Sequence, residues 1–248
     1  MNDPELYSKC NAMTRTAAVQ CLDEYASKMD WEQNGDTVVD LGCGDGSVTQ
    51  IIKKYIPHNY KKLVGCDISE NMVKFAASRE MDERTMYRIL DIEGDLPFDL
   101  KGNFNHAFSF FTLHWMQEQE KAFRNIFNIL ADGGECLLSF LGYTPIYHIF
   151  NNLGRTSKWS SSWLKDLDCF ISPYYNMENT EERLTKMMEG IGFSDIEVKN
   201  NKISYMMDNG LELKSLIKAV EPYAMPKDVF EDFMRDCLSV SQDIGLLE

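Results

Sequence analysis

The sequence is short of positive charge and has no long hydrophobic run. It has 25 Lys and Arg against 39 Asp and Glu, so the formal net charge is −14. A surface this acidic repels phosphate backbones and anionic lipid headgroups, and we expect no nucleic-acid partner. No apolar run approaches the ~18 residues of a membrane helix, and the polar residues 1–5 predict no secretory leader.

Cysteine and histidine patterns that would mark a metal site or a disulfide framework are also missing. The seven cysteines lie at least eleven positions apart, so there is no C-x-x-C pair, and their number is odd. The four histidines form neither H-E-x-x-H nor H-x₃-H. We therefore expect no bound metal and a reduced, cytoplasmic environment.

What the sequence does contain is ample apolar material for a core. Hydrophobic residues make up 44% of the 248 residues and aromatic residues 12%. A chain of this length and composition folds as one large domain or as one domain with a small cap.

Strand-like and helix-like segments alternate through the first 141 residues. This alternation predicts an α/β fold with a doubly wound, mostly parallel sheet. The predicted strands are 37–41, 62–66, 86–90, 106–111 and 135–141, and a later one is 195–206. The predicted helices are 5–29, one from Ser47 to Pro57, 70–79, 118–130, 179–190, 210–220 and 226–243.

The pattern changes after Leu141, where the chain becomes rich in aromatic residues and is broken by prolines and a glycine. We interpret residues 143–176 as a helical substrate cap within a single domain spanning 1–248. Residues 1–34 would form an N-terminal lid helix, and residues 207–248 a set of C-terminal helices.

The strongest motif is a glycine loop that follows the first strand. Glycines occupy positions 42, 44 and 46, and Asp40 lies two positions before the first of them. Glycines allow a sharp turn and close approach of a ligand to bare backbone, although a purely structural glycine turn is the alternative. A carboxylate at position 40 would repel a pyrophosphate but suits a ligand that carries an ammonium group. The D-x-G-x-G-x-G pattern resembles motif I of the class I S-adenosylmethionine-dependent methyltransferases.

Two further acids follow the next two strands. Asp67 comes 25 residues after Gly42, and a carboxylate there can accept both hydroxyls of a ribose. The alternative is a helix N-cap, which Ser69 could supply instead. Asp91 ends the third strand, and the resemblance assigns it and Ile92 to the adenine, whereas an Asp after a strand is also ordinary turn chemistry. The cofactor contacts expected from the resemblance are Asp40, Gly42, Cys43, Gly44, Asp67, Ile68, Asp91, Ile92 and Phe110, and the cofactor is S-adenosyl-L-methionine, which leaves as S-adenosyl-L-homocysteine.

The binding site for the molecule that accepts the methyl group is predicted at the end of the fourth strand, because ligands of open α/β sheets bind beyond the carboxyl ends of the strands. The segment 108–115 ends in His114 and Trp115, whose imidazole and indole N–H are both potential donors to an anion. Trp115 could instead be a core aromatic, and His114 a base, a donor or a structural residue. The Asp/Asn-Pro-Pro-Tyr/Phe signature of amino-group methylation is absent from this segment.

Segments spread over almost the whole chain resemble the insect juvenile hormone acid O-methyltransferases. They are Leu6-Tyr7, Trp31, 39–43, 64–69, 90–95, 113–115, 123–128 and 170–174. The resemblance implies methylation of the carboxylate of sesquiterpenoid acids such as juvenile hormone acid or farnesoic acid. It makes Trp115 and His114 the catalytic candidates. The expected substrate contacts are Thr14, Trp115, Tyr147, Phe150 and Trp159.

The sequence departs from the family pattern in two places. The first helix of the family usually carries Gln where this chain has Thr14, and the family's chain continues beyond residue 248 into a last strand. The sequence is thus either a piece or a shortened form. These departures leave two alternatives open, a catalytically weak paralogue that binds cofactor or acid, and a methyltransferase for another small molecule such as a fatty acid.

Methylation of a carboxylate does not require the protein to remove a proton from the substrate. A carboxylic acid with a pKa near ~4–5 is ionised at neutral pH, so its oxygen can attack the methyl group without a general base. We expect a small lipophilic carboxylic acid as the partner, with homodimer formation left open.

Overall fold

The computed structural model describes residues 3–161, 163–164, 166–202, 210–220, 223 and 225–246. In these residues five strands form one sheet in the order β3-β2-β1-β4-β5, and every neighbouring pair is parallel. The strands are Thr37–Leu41 (β1), Lys62–Asp67 (β2), Thr85–Ile89 (β3), Phe104–Phe110 (β4) and Leu130–Ser139 (β5). The strand order reverses at β1, as a doubly wound sheet requires, which confirms the predicted fold class.

Ten α-helices lie within the described residues. They are Pro4–Cys10 (α1), Ala12–Tyr25 (α2), Ser47–Tyr55 (α3), Glu70–Ser78 (α4), Gln119–Ile129 (α5), Pro145–Gly154 (α6), Ser157–Ser160 (α7), Thr180–Ile191 (α8), Gly210–Val220 (α9) and Lys227–Asp243 (α10). A short 3₁₀ turn, Leu113–Trp115, follows β4.

Helices cover both faces of the sheet. Adjacent residues of β1 point to opposite sides and therefore pack against different helices. Val38 packs in a cluster with residues of α2 and α3, whereas Val39 packs in a second cluster with residues of α5 and α8. A strand buried on both faces reads as a continuous apolar run, which is how β1 was recognisable in the sequence.

The chain after β5 buries a third apolar cluster of its own. It is built from α6, α7, α9 and α10, and its fully buried centre includes Phe150 and Phe233. Of these helices, α6 and α7 lie in the predicted cap, residues 143–176, and we keep the name cap for that segment. The functional division into lid, core and cap stays a prediction.

Two predicted elements are wrong. The single helix 5–29 is two helices, α1 and α2, which break at Asn11. The predicted strand 195–206 is no strand over residues 195–202, and residues 203–206 lie outside the described part. In that segment Glu197 and Lys199 are exposed and ion-paired, and Lys199 also reaches Glu24 of α2. These charged side chains lie on the surface, and among the described residues no strand pairs with the segment.

Candidate active site

The loop after β1 turns tightly on three glycines. The backbone is left-handed at Gly42, Gly44 and Gly46, with φ of 78°, 53° and 79°. A Cβ on Gly42 would lie 2.0 Å from Thr112 Oγ1, so no side chain fits there. The Gly42 N–H donates to the Cys66 carbonyl oxygen at 2.7 Å. The loop thus folds against the end of β2 and presents main chain at the carboxyl edge of the sheet.

Asp40 is a fully buried carboxylate beneath this loop, with only 1% of its surface exposed. One oxygen accepts a hydrogen bond from Thr49 Oγ1 at 2.6 Å. Burial raises the pKa of Asp40 to about 7; the Thr49 bond lowers it, and the nearby charge of Asp67 raises it further. In the described part of the chain, no Lys or Arg forms an ion pair with Asp40 or with Asp67. The site can therefore accept a cation.

Asp67 ends β2 with both carboxylate oxygens held by main chain. Oδ2 accepts from the Gly44 N–H at 2.9 Å, and Oδ1 accepts from the Ser69 N–H at 2.8 Å. Burial raises the pKa of Asp67, and these two hydrogen bonds oppose that rise. Each carboxylate oxygen has a second lone pair, so two hydroxyl donors could still be accepted.

The third acid and its neighbours are placed at the same edge. Asp91 is exposed, and one of its oxygens accepts from the Glu93 N–H at 2.9 Å, which is the turn chemistry that the sequence left open. Ile92 is buried in the sheet core, whereas Ile68 is 65% exposed. An apolar side chain left open beside polar groups can lie against the flat face of a ring.

The remaining predicted cofactor contacts are buried side chains. Cys43 is 4% exposed, and burial raises the pKa of its thiol well above the ordinary value. Phe110 is also 4% exposed and packs with Phe108 at a centroid distance of 6.4 Å. Only their main chain is available at the edge of the sheet.

Tyr7 in α1 covers the glycine loop, and no role was predicted for it. A Cβ on Gly44 would lie 3.5 Å from Tyr7 Cε1. Burial raises the pKa of Tyr7 to about 12; a hydrogen bond with Thr14 lowers it, and the Asp45 charge raises it. Tyr7 and Thr14 therefore lie next to the loop, and the only signal for Tyr7 in the sequence was the resemblance at positions 6 and 7.

A second missed contact joins the break between α1 and α2 to the loop. The Asn11 Nδ2 group donates to both oxygens of Asp45, at 3.2 and 3.3 Å, and each residue is 3% exposed. Asp45 also accepts from the N–H and hydroxyl of Ser47 at the start of α3. This carboxylate thus connects the N-terminal helices to the glycine loop.

His114 is buried behind the end of β4. Its Nδ1 accepts from the Leu141 N–H at 3.4 Å, which leaves the proton on Nε2. Burial lowers the pKa of His114 to about 3, so the ring is neutral at physiological pH. A neutral imidazole of this kind can donate from Nε2 but cannot act as an effective base near neutrality.

Trp115 is partly buried between His114 and the cap. Its ring lies 4.8 Å from His114 and 5.3 Å from Phe170, measured between centroids. No described residue accepts a hydrogen bond from the indole N–H.

The three predicted cap contacts have different surroundings. Phe150 stacks on Phe170 at 4.3 Å, and Trp159 donates its indole N–H to Asp236 of α10 at 2.7 Å. Tyr147 packs edge-on against Phe170 at 6.3 Å. All three side chains belong to the same apolar cluster. Tyr147 and Trp115 each contact the ring of Phe170.

Comparisons with known proteins identify the family. The methyltransferase domain model matches residues 39–138. A juvenile hormone acid O-methyltransferase from Bombyx mori is 51% identical over all of this chain and 89% of its own length. One from Drosophila melanogaster is 36% identical over 99% of this chain and 84% of its own length. The chain belongs to the juvenile hormone acid O-methyltransferase family.

A solved structure supports the fold of this family member. Phosphoethanolamine N-methyltransferase 2 from Haemonchus contortus, in complex with S-adenosyl-L-methionine, aligns with a TM-score of 0.54 at 19% identity. The alignment covers 91% of this chain and 49% of that chain. Within the described residues, no helix is long and apolar enough to cross a membrane, and no group of three or more metal-binding side chains occurs.

As a member of this family, the chain is an S-adenosylmethionine-dependent methyltransferase, and its residues fit that cofactor. Asp40 and Asp67 are buried acids beside a bare glycine backbone, and neither is paired with Lys or Arg in the described part. Such a setting stabilises a ligand that brings a positive charge and a diol.

Proposed function

We propose that this enzyme transfers the methyl group of S-adenosylmethionine to the carboxylate of a sesquiterpenoid acid, juvenile hormone acid or farnesoic acid. The observation that carries the proposal is the identity of 51% and 36% to two juvenile hormone acid O-methyltransferases over essentially the whole chain. The partner is then a small lipophilic acid. We expect the enzyme to be cytoplasmic. Light scattering would show whether it forms a dimer.

On the cofactor side, we assign the acids at the edge of the sheet by their surroundings. Asp40 would balance the positive charge of the methionine moiety, because it is the more deeply buried of the two unpaired acids, at 1% exposure against 9% for Asp67. Asp67 would accept the ribose hydroxyls, and Asp91 with Ile92 would receive the adenine. The exposed side chain of Ile68 would lie against the adenine face. The main chain of Gly42, Cys43, Gly44 and Phe110 would line the rest of the pocket.

On the acceptor side, we assign Trp115 and His114 as donors to the carboxylate. The indole N–H has no acceptor among the described residues, and His114 carries its proton on Nε2. The cofactor supplies an electrophilic methyl group, and the acceptor is already ionised, so the protein's task is alignment of the two. Alignment of two bound reactants contributes on the order of 7–11 kcal/mol at best.

The cap would hold the apolar tail and keep water out. Its aromatic lining, to which Tyr147, Phe150 and Trp159 belong, is buried. The opposite charges of the carboxylate and the sulfonium cancel as the new bond forms, so a site without water favours the reaction.

Thr14 gives specific support to a second candidate, a catalytically weak member of the family. Its side chain is 8% exposed and lies beside the phenol of Tyr7. Thr is shorter than the Gln of the family pattern, so it extends less far towards a substrate carboxylate.

The test is methyl transfer from labelled S-adenosylmethionine to farnesoic acid, juvenile hormone acid and palmitic acid, each with wild type and Thr14→Gln. We expect turnover with the two sesquiterpenoid acids and little with palmitic acid. Turnover that appears only in Thr14→Gln would support the weak paralogue. An absence of methyl ester from all three acids with both proteins would reject carboxyl methylation of these substrates.

A further inference from the structure

The cap contains a buried hydroxyl that has no hydrogen-bond partner. Tyr147 is 2% exposed, and its phenol oxygen contacts no donor or acceptor in the described part of the chain. Two other buried aromatic side chains have partners for their polar groups: the Trp159 N–H donates to Asp236, and the Tyr174 hydroxyl donates to Gln119. Because a buried unpaired hydroxyl lowers stability, this group calls for a partner that the polypeptide does not supply.

A chain of aromatic contacts connects Tyr147 with Trp115, the residue proposed to bind the substrate carboxylate. Trp115, at the carboxyl end of β4, packs against Phe170, and Phe170 packs edge-on against Tyr147. One aromatic ring, that of Phe170, therefore lies between the Trp115 indole and Tyr147. A substrate bound as proposed above, with its carboxylate at Trp115 and its tail in the cap, would pass close to α6, which carries Tyr147.

The chemistry of the surroundings narrows the kind of partner. Ring contacts with Phe170 and Tyr175 enclose Tyr147, so an incoming tail must part these side chains. Burial raises the pKa of the Tyr147 phenol, which keeps the hydroxyl protonated and able to donate. A ligand oxygen without a hydrogen, such as an ether oxygen, can accept the hydrogen bond from the Tyr147 hydroxyl. Unlike a hydroxyl, it brings no donor of its own that would be left without a partner in the apolar cluster.

We propose that the Tyr147 hydroxyl donates a hydrogen bond to an ether-type oxygen, such as an epoxide, on the apolar chain of the acid, and so favours oxygenated acids over their oxygen-free counterparts. This inference rests on the proposed function, since it presumes an acid bound with its carboxylate at Trp115. It adds a specificity-determining group at the opposite end of the substrate.

The first experiment compares farnesoic acid with its terminal epoxide, an acid of nearly the same shape with one added acceptor. For Tyr147→Phe we expect the ratio of kcat/KM for the epoxide to kcat/KM for farnesoic acid to fall about 3- to 10-fold, the size of one neutral hydrogen bond. The matched control is Tyr174→Phe, which removes a hydroxyl that already has a partner and should leave this ratio unchanged. A ratio in Tyr147→Phe equal to that of wild type would overturn the inference.

A second measurement needs no turnover and keeps the two proposals distinguishable. Thermal unfolding of the free proteins should show Tyr147→Phe at least as stable as wild type, because no hydrogen bond is lost, whereas Tyr174→Phe should be less stable. The epoxide acid should raise the Tm of wild type more than that of Tyr147→Phe. A loss of stability in free Tyr147→Phe would mean that the hydroxyl has a partner in the free protein and would contradict the inference. If neither acid is methylated and neither raises the Tm of wild type, the proposed function itself is wrong.

Discussion

At the scale of single residues, the carboxylate of Asp40 links cofactor binding to pH. Its pKa in the free protein is raised to about 7 by burial. A ligand that brings a positive charge binds the ionised form, so binding must release a proton below that pH. We expect the Kd for S-adenosylmethionine to rise by up to roughly tenfold for each pH unit below about 7 and to level off above it. Calorimetry from about pH 5.5 to 8.5 measures this.

Two variants make this prediction specific to Asp40. Asp40→Asn should bind cofactor weakly at every pH and lose the dependence. Asp91→Asn removes an exposed carboxylate at the same edge of the sheet and should keep the dependence, whatever its affinity. A pH dependence that survives in Asp40→Asn would assign the proton to another group.

The indole N–H of Trp115 is the second residue whose role can be measured. If it donates to the acceptor carboxylate, Trp115→Phe removes the donor and keeps most of the ring. Turnover should fall roughly 10- to 100-fold, equivalent to ~1.5–3 kcal/mol for a charge-assisted hydrogen bond, while cofactor affinity stays nearly the same. The control is Trp31→Phe, whose N–H bonds the Ala26 carbonyl oxygen far from this edge. Full turnover in Trp115→Phe would remove the indole from the mechanism.

The low pKa of His114 leads to a prediction for the pH dependence of the methyl-transfer step. Its pKa is lowered to about 3, and the acceptor acid is ionised above about pH 6. With cofactor saturating, the rate should therefore be flat from about pH 6.5 to 8.5 in single-turnover measurements. A fall in rate through the ordinary range of histidine would make His114 a base and would place its pKa far above the buried value.

At the scale of elements, the contact between Asn11 and Asp45 attaches α1 and α2 to the glycine loop. Asn11→Ala leaves the buried Asp45 carboxylate without the donor that reaches it from the break between α1 and α2. We expect a loss of about 1–3 kcal/mol in stability, faster amide exchange across α1 and α2, and weaker cofactor binding. Hydrogen-exchange mass spectrometry measures the second effect.

The control for this prediction lies on the same helix. Arg15 is an exposed residue of α2 whose guanidinium forms no hydrogen bond or ion pair with the described part of the chain. Arg15→Ala should leave exchange in α1 and α2 close to that of wild type. Equal protection of α1 and α2 in Asn11→Ala and Arg15→Ala would mean that the Asn11–Asp45 contact does not hold these helices on the loop.

At the scale of the whole molecule, two buried groups make opposite contributions to the pH dependence of folding. The folded-state pKa of Asp40 is raised to about 7, so the folded protein holds more protons than the unfolded chain between about pH 4 and 7, and stability falls as pH rises through that window. The pKa of His114 is lowered to about 3, so the unfolded chain holds more protons between about pH 3 and 6.5, and stability rises with pH there.

Each contribution can be isolated by urea unfolding at several pH values. From about pH 4.5 to 7, the stability of Asp40→Asn relative to wild type should increase by up to ~1.4 kcal/mol per pH unit. From about pH 4 to 6.5, the stability of His114→Phe relative to wild type should decrease with rising pH by a similar slope. Differences that do not vary with pH would show that these groups titrate alike in the folded and unfolded states.

The sequence alone determined the architecture and the position of the cofactor edge, because both follow from local patterns. Continuous apolar runs such as 37–41 predict buried parallel strands, and the glycines that follow predict the tight turn. Parallel strands end at one edge, so the acids at the carboxyl ends of β1, β2 and β3 had to lie near one another. The same local reading was wrong at 195–202, where the described residues form no strand and Lys199 is ion-paired with Glu24 of α2.

Only the tertiary structure decided which residues meet across long stretches of chain. Asn11 and Asp45 are 34 positions apart, and no spacing rule relates them, because their contact depends on how α1 and α2 pack on the loop. The unpartnered hydroxyl of Tyr147 is likewise invisible in the sequence, since a tyrosine in an aromatic-rich segment carries no sign of whether its oxygen has a partner. Burial is a property of the packed molecule, and burial sets the pKa values of Asp40 and His114 that govern the pH predictions.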